Sequence, residues 1–319
     1  MKITASSNLS FDLLCFLNVA TEDEFYLEYH REEDEKFYPL LSDKVKAGIK
    51  EMAKRRDTML WPLITLLVSS LENCESRELS EMLTAYDEIR EGISKTPYKF
   101  TDEELGEYFR EFREVVVPFA AELNEIGFVA YWHEVKKPLI DEKCQKLNEY
   151  FKKFNILDEV KKLMKFEDAQ INMWVCAFAR PIGAKLCGYD MVSDYTWSDD
   201  VILRTITHEI FHPPYKTELV ADAIEKLGQM PWVVKAYDEQ NPNCAYKPME
   251  GFIEENVVEA LGIYIFVKMI PDFDAHGYFK EHDYGSHVIS TPFYDYLHSN
   301  PKPHNMSFED YFIKFVEEF

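Results

Sequence analysis

The sequence predicts an α+β protein: a mostly α-helical N-terminal half, then a small β-sheet, then two helices that carry the chemistry. Three features of the chain predict it. Through the first half, apolar residues recur at the spacing of one helix face. Near Glu167 the pattern changes to short β-branched and aromatic segments. After Ser198 it returns to helices with recognisable caps.

The helical half is read from residues 42–54, 60–71 and 77–93, each with apolar residues at helical spacing. Thr101 and Glu104 form a capping box that opens a long helix towards Ile126. Residues 131–154 and 157–164 continue the pattern. The charged run 29–36 is most simply a solvated stretch or loop. Residues 171–178 and 184–192 read as two strands joined by a turn at Pro181-Ile182-Gly183. Ser198 or Asp199 can then cap a helix over 200–212. Pro213 and Pro214 should end it, or bend it sharply, at His212. A long helix follows from about Met249 to Lys268, another begins at Thr291-Pro292, and a last one begins at Ser307. The organisation expected is a helical region over 1–165 and a catalytic region over 166–319, which can pack as one unit.

The chain has 319 residues, enough for one large domain or two ordinary ones. Its formal charge of −23 argues against a nucleic-acid partner, because phosphate would be repelled. A well-solvated acidic surface accounts for that charge; an acidic cleft preferring basic substrates is the sharper alternative. The six cysteines form no C-x-x-C pair and read as reduced, mostly buried thiols. The apolar run 11–20 is broken by Asp12 and Asn18, which argues against a signal peptide. The run 59–71 is too short to span a bilayer and contains Pro62. A cytoplasmic protein with no membrane partner is expected.

The stretch His208-Glu209-Ile210-Phe211-His212 puts two imidazoles one helical turn apart with a carboxylate between them. Both rings can reach one metal ion, while Glu209 lies beside it, which suits a general base on a zinc-bound water. Zinc then needs a third protein ligand, and the helix after the motif supplies acids. Glu255 is the expected ligand. Glu259, one turn on, can accept the outer N–H of a ligating histidine. Glu254 is the rival ligand, on the stripe with Val258, Leu261 and Ile265.

His208-Glu209-x-x-His212, followed by Glu255-Asn256-Val257-Val258-Glu259-Ala260, resembles the gluzincin group of zinc metallopeptidases, the thermolysin-like clan. It also resembles uncharacterised bacterial members with the same motif pair. The resemblance covers roughly 170–290 and implies a thermolysin-like catalytic half. It implies a zinc metallopeptidase acting on peptide or protein substrates, with His208, His212 and Glu255 on zinc and Glu209 as general base. In such a mechanism the carbonyl oxygen needs a further donor, usually Tyr or His. Tyr284 and His287 are the candidates, with Tyr246 behind them. The aminopeptidase signature (a Gly-x-Met-x-Asn segment) is missing, so the resemblance does not extend to aminopeptidase activity. The alternative is a catalytically inactive zinc-binding interaction protein whose helical half binds the partner.

Overall fold

A computed structural model describes residues 3–56, 59–165, 170–241 and 246–318. Cys244 and the expected boundary near Glu167 lie outside the described residues. In chain order the elements are β1 (Ile3–Ser6), α1 (Leu9–Val19), α2 (Glu24–Phe37), α3 (Asp43–Arg55), α4 (Leu60–Ser69), α5 (Leu79–Met82) and α6 (Tyr86–Ser94). There follow α7 (Asp102–Glu111), α8 (Val117–Glu125), α9 (Phe128–Tyr131), α10 (Lys137–Phe151) and α11 (Ile156–Leu163). Next come β2 (Ile171–Cys176), β3 (Ala184–Lys185), β4 (Met191–Asp194), α12 (Asp199–Glu209), α13 (Thr217–Gly228) and α14 (Pro231–Asp238). The chain closes with α15 (Met249–Met269), α16 (Ala275–Glu281), α17 (Ser290–Ser299) and α18 (Phe308–Glu318). This is the mostly helical α+β class that the sequence predicts. Among the described residues no helix is long and apolar enough to cross a membrane.

Two compact units are distinguished, one from residues 3–151 with 170–199 and one from 152–165 with 200–318. The first unit holds the sheet, in the order β1-β2-β4-β3. β1 and β4 flank β2 in parallel, and β3 pairs antiparallel with β4. β1 was not among the expected strands: four residues are too few to show a period. The segment 184–192, expected as one strand, divides into β3 and β4 around Gly188, whose φ of +67° reverses the chain. Helices α1 and α10 pack against β2, where Ile171, Met173, Val175 and Cys176 are fully buried.

The helical part of this unit departs from expectation in two places. Residues 29–36 are not a loop but the body of α2, which buries His30, Glu33 and Asp34 on one side. Glu33 accepts from Tyr131 at 2.8 Å and pairs with Lys136 at 2.5 Å, and both members of that pair are largely withdrawn from solvent. The expected helix over 77–93 is interrupted between α5 and α6. By contrast, the Thr101–Glu104 capping box is present as predicted. The helix it opens passes Pro118 through one π turn at Phe112–Val116, and the next helix passes Pro138 through another at Trp132–Lys136. A proline inside a helix lacks its N–H and crowds the carbonyl four residues back; a wider turn relieves both. Of the described cysteines, Cys15, Cys74, Cys144 and Cys176 are buried, Cys187 is half-buried, and all are free thiols.

Asp12 ties this unit together from inside α1. It is fully buried and accepts from Trp132 Nε1 at 2.6 Å and from the backbone N–H groups of Ala177 and Phe178 at 2.6 and 3.2 Å. Burial still pushes its carboxyl up to about 7, against those hydrogen bonds. The folded chain therefore keeps a proton that an unfolded Asp releases near pH 4. The stabilising effect of that proton is complete below pH 4 and is lost as pH rises through about 7, on the order of 4 kcal/mol in all. Chemical denaturation across pH 4–7 should show stability falling in this window, and Asp12→Asn should flatten the fall. An identical slope in the variant would remove Asp12 as its origin.

The second unit is helical, built around α15. Helices α11, α13 and α17 pack on α15, and α18 packs on α13. The C-terminal half of α15 is apolar, with Val257, Val258, Ala260, Leu261, Ile263 and Ile265 fully buried. Gly262 is where α15 touches α12. A Cβ there would lie 2.9 Å from His208 Cα, 3.1 Å from His208 N and 3.1 Å from Thr207 O. In an ordinary helix interior, alanine in place of glycine stabilises by roughly 1 kcal/mol. Here the neighbour is backbone, which cannot rotate away, and overpacking costs roughly 1–3 kcal/mol. Gly262→Ala should therefore lower stability, as read by thermal or chemical denaturation. A gain in stability would show that the two helices can part without cost.

Candidate metal centre

α12 supplies His208 and Glu209 from its last turn. The helix stops at Glu209, three residues before the sequence predicts. Beyond it, Phe211 N donates to His208 O at 3.0 Å and His212 N to Glu209 O at 3.3 Å, so the last turn is tightened. Pro213 and Pro214 follow and offer no N–H to continue it. His212 is thus displayed from a turn, still on the face of His208.

α15 runs past this turn as predicted and presents three glutamates to the two rings. His208 Nε2 and His212 Nε2 face each other at 3.1 Å. The Glu255 carboxylate closes the triangle, at 3.5 Å from His208 Nε2 and 3.6 Å from His212 Nε2. The outer nitrogens are held by the other two acids. His208 Nδ1 meets Glu259 Oε2 at 2.5 Å, and His212 Nδ1 meets Glu254 Oε1 at 3.1 Å. The expected support of a histidine by Glu259 is therefore present, and Glu254, the rival ligand, lies on the far side of His212. Two carboxylates that accept Nδ1–H leave both Nε2 atoms as lone-pair donors aimed at one another.

Those lone pairs repel unless something positive lies between them. The local charge points the same way. Burial alone would lower the His208 imidazole, but Glu259, Glu255 and Glu209 hold it well above its ordinary value. Burial would raise Glu259 and Glu255, but the histidines beside them hold both below the usual carboxylate range. The donor set and its spacing fit zinc: donors at about 2.0–2.1 Å in a tetrahedral arrangement stand roughly 3.3–3.4 Å apart. His208, His212 and Glu255 form a group able to hold a metal ion. Glu209 is half-buried beside them, at the adjacent helix position.

A second cluster lies in the turn between α16 and α17. His287 is 1% exposed; its Nε2 contacts Asp283 Oδ2 at 3.2 Å and its Nδ1 contacts Ser290 Oγ at 3.4 Å. Tyr246 donates its hydroxyl to the same Asp283 oxygen at 2.6 Å. His282 stacks on His287 and on Tyr278, with ring centroids 5.1 and 4.6 Å apart. Tyr284 stands 75% exposed outside both clusters. Asp283 and Tyr284 both have positive φ, 45° and 58°, with Gly285 next at 79°. Non-glycine residues in that region are uncommon, and a run of them is held only by the structure around it. His287 is among the lesser causes that lower the Glu255 carboxyl, after His212 and His208, and the Glu259 carboxyl, after His208.

Asn256 links the clusters through the backbone. It is fully buried next to Glu255, its Oδ1 accepts from Ile289 N at 2.9 Å and Ser290 N at 3.3 Å, and its Nδ2 donates to Phe252 O at 3.0 Å. Neither Asn256 nor Asp283 stands out in the sequence; the pairing of an amide with a turn some thirty residues on follows no local pattern.

No protein-family model matches the sequence, and no curated protein or solved structure is significantly similar to it.

Proposed function

We propose that the protein is a zinc-dependent metallopeptidase in which Glu209 is the general base. The observation that carries this reading is the triangle of His208 Nε2, His212 Nε2 and the Glu255 carboxylate, with each outer nitrogen on its own acid. When bound there, zinc supplies Lewis-acid polarisation of a carbonyl and lowers the pKa of water. Glu209 takes the proton of the attacking water and gives it to the departing amine nitrogen. Its position one residue along the helix from His208 supports that role, since the side chain is set beside the ligand face rather than on it.

His287 and Tyr284 are assigned the stabilisation of charge on the carbonyl oxygen. Asp283 braces His287, and the left-handed run over 283–285 supports a functional turn. A substrate has to draw one of the two towards the Nε2 pair, because His287 is enclosed and Tyr284 faces solvent.

Protein purified without chelator should carry about one zinc per chain by elemental analysis, and His208→Ala or His212→Ala should abolish it. Glu209→Gln should keep the zinc and lose cleavage of a broad peptide library by at least about 100-fold. Stoichiometric zinc with no cleavage by the native chain would leave a zinc-stabilised interaction protein instead; no zinc at all would remove the metal centre.

A further inference from the structure

The two histidines of the triangle are alike in chemistry but unlike in support. His208 sits within α12, and its backbone is wedged against Gly262. Its acid, Glu259, is all but buried, at 4% side-chain exposure. His212 has none of this. It lies past the end of α12, held by one tightened backbone bond and followed by two residues without N–H. Its acid, Glu254, has a side chain 29% exposed.

Resting on the zinc reading above, we infer that Glu254 is a positioning residue: it fixes the ring and tautomer of His212 so that its Nε2 faces the metal. Glu254 and Glu255 are consecutive on α15 and divide the work. Glu255 turns its carboxylate towards both Nε2 atoms, and Glu254 reaches around to the Nδ1 of one. Among the described residues Glu254 is the acceptor at that Nδ1, and a histidine without an Nδ1 acceptor exchanges tautomers freely. A carboxylate is also more than a hydrogen-bond acceptor here. Its charge makes the opposite nitrogen a stronger donor to a cation, as outer carboxylates do for metal-bound imidazoles.

Zinc affinity measured by competition with a chromophoric chelator tests this without any substrate. Glu254→Ala should weaken zinc by about 10–100-fold while the chain still binds one zinc when saturated. Glu254→Gln keeps an acceptor oxygen and loses the charge, so it should fall between Glu254→Ala and the native chain. Long-range proton–nitrogen NMR of zinc-loaded protein should show His212 protonated at Nδ1 in the native chain, with that Nδ1–H signal weakened or exchanging in Glu254→Ala. Native affinity in Glu254→Gln and Glu254→Ala alike would overturn the inference and leave the zinc reading standing. A saturating stoichiometry below one in either variant would overturn it too, making Glu254 a ligand. Should Glu254→Ala not fold, Glu254→Gln decides alone. Failure of the native chain to bind zinc would overturn the metal centre and this inference together.

Discussion

The close approach of α15 to α12 at Gly262 is the constraint on which the candidate centre depends. The triangle joins atoms little more than 3 Å apart from the end of α12 and from α15, so its spacing is set by how these two elements lie against each other. Gly262 lets the α15 backbone lie on the Thr207–His208 backbone. Glu259 is then within direct reach of His208 Nδ1, and Glu255, a further turn back, arrives level with the Nε2 pair. The apolar C-terminal half of α15 gives this contact its rigidity, since burial of its aliphatic side chains fixes the helix against its neighbours.

The second governing term is charge. Glu209, Glu254, Glu255 and Glu259 meet two imidazoles in a partly buried space. Four carboxylates are not gathered there for stability, because each loses hydration and repels the others. The upward shift of His208 follows from the carboxylates around it, and the downward shifts of Glu255 and Glu259 from the imidazoles beside them. A single proton between two nitrogens balances little of the carboxylate charge; a divalent cation balances much more.

What the sequence made legible follows from how local each signal is. The His-x-x-x-His pair, the capping box at Thr101 and the limits of α15 rest on spacings within a few turns, and they were readable from residues alone. Spacing from Glu259 favours Glu255 over Glu254, but spacing along one helix leaves Glu254 as a rival. Consecutive helix positions differ by about 100° in direction, and which of them faces the Nε2 pair is set by the angle between two helices. Likewise β1 is too short to carry a pattern, and α2 was hidden because charge partners such as Lys136 come from a hundred residues away. The end of α12 at Glu209 shows a subtler limit. The prolines mark where helical hydrogen bonds must stop, but the tightened turn before them takes up three further residues.

Asn256 gives the two clusters a common mechanical origin. On α15 it follows Glu255 directly, so its direction is turned by roughly 100° from that carboxylate. Its amide fixes the first backbone N–H groups of α17, which helix geometry leaves without intrahelical partners. The turn carrying Asp283 and His287 is thereby anchored at its C-terminal end to the helix that bears Glu255. The segment that encloses His287 and the Glu255 carboxylate of the triangle are thus both tied to α15.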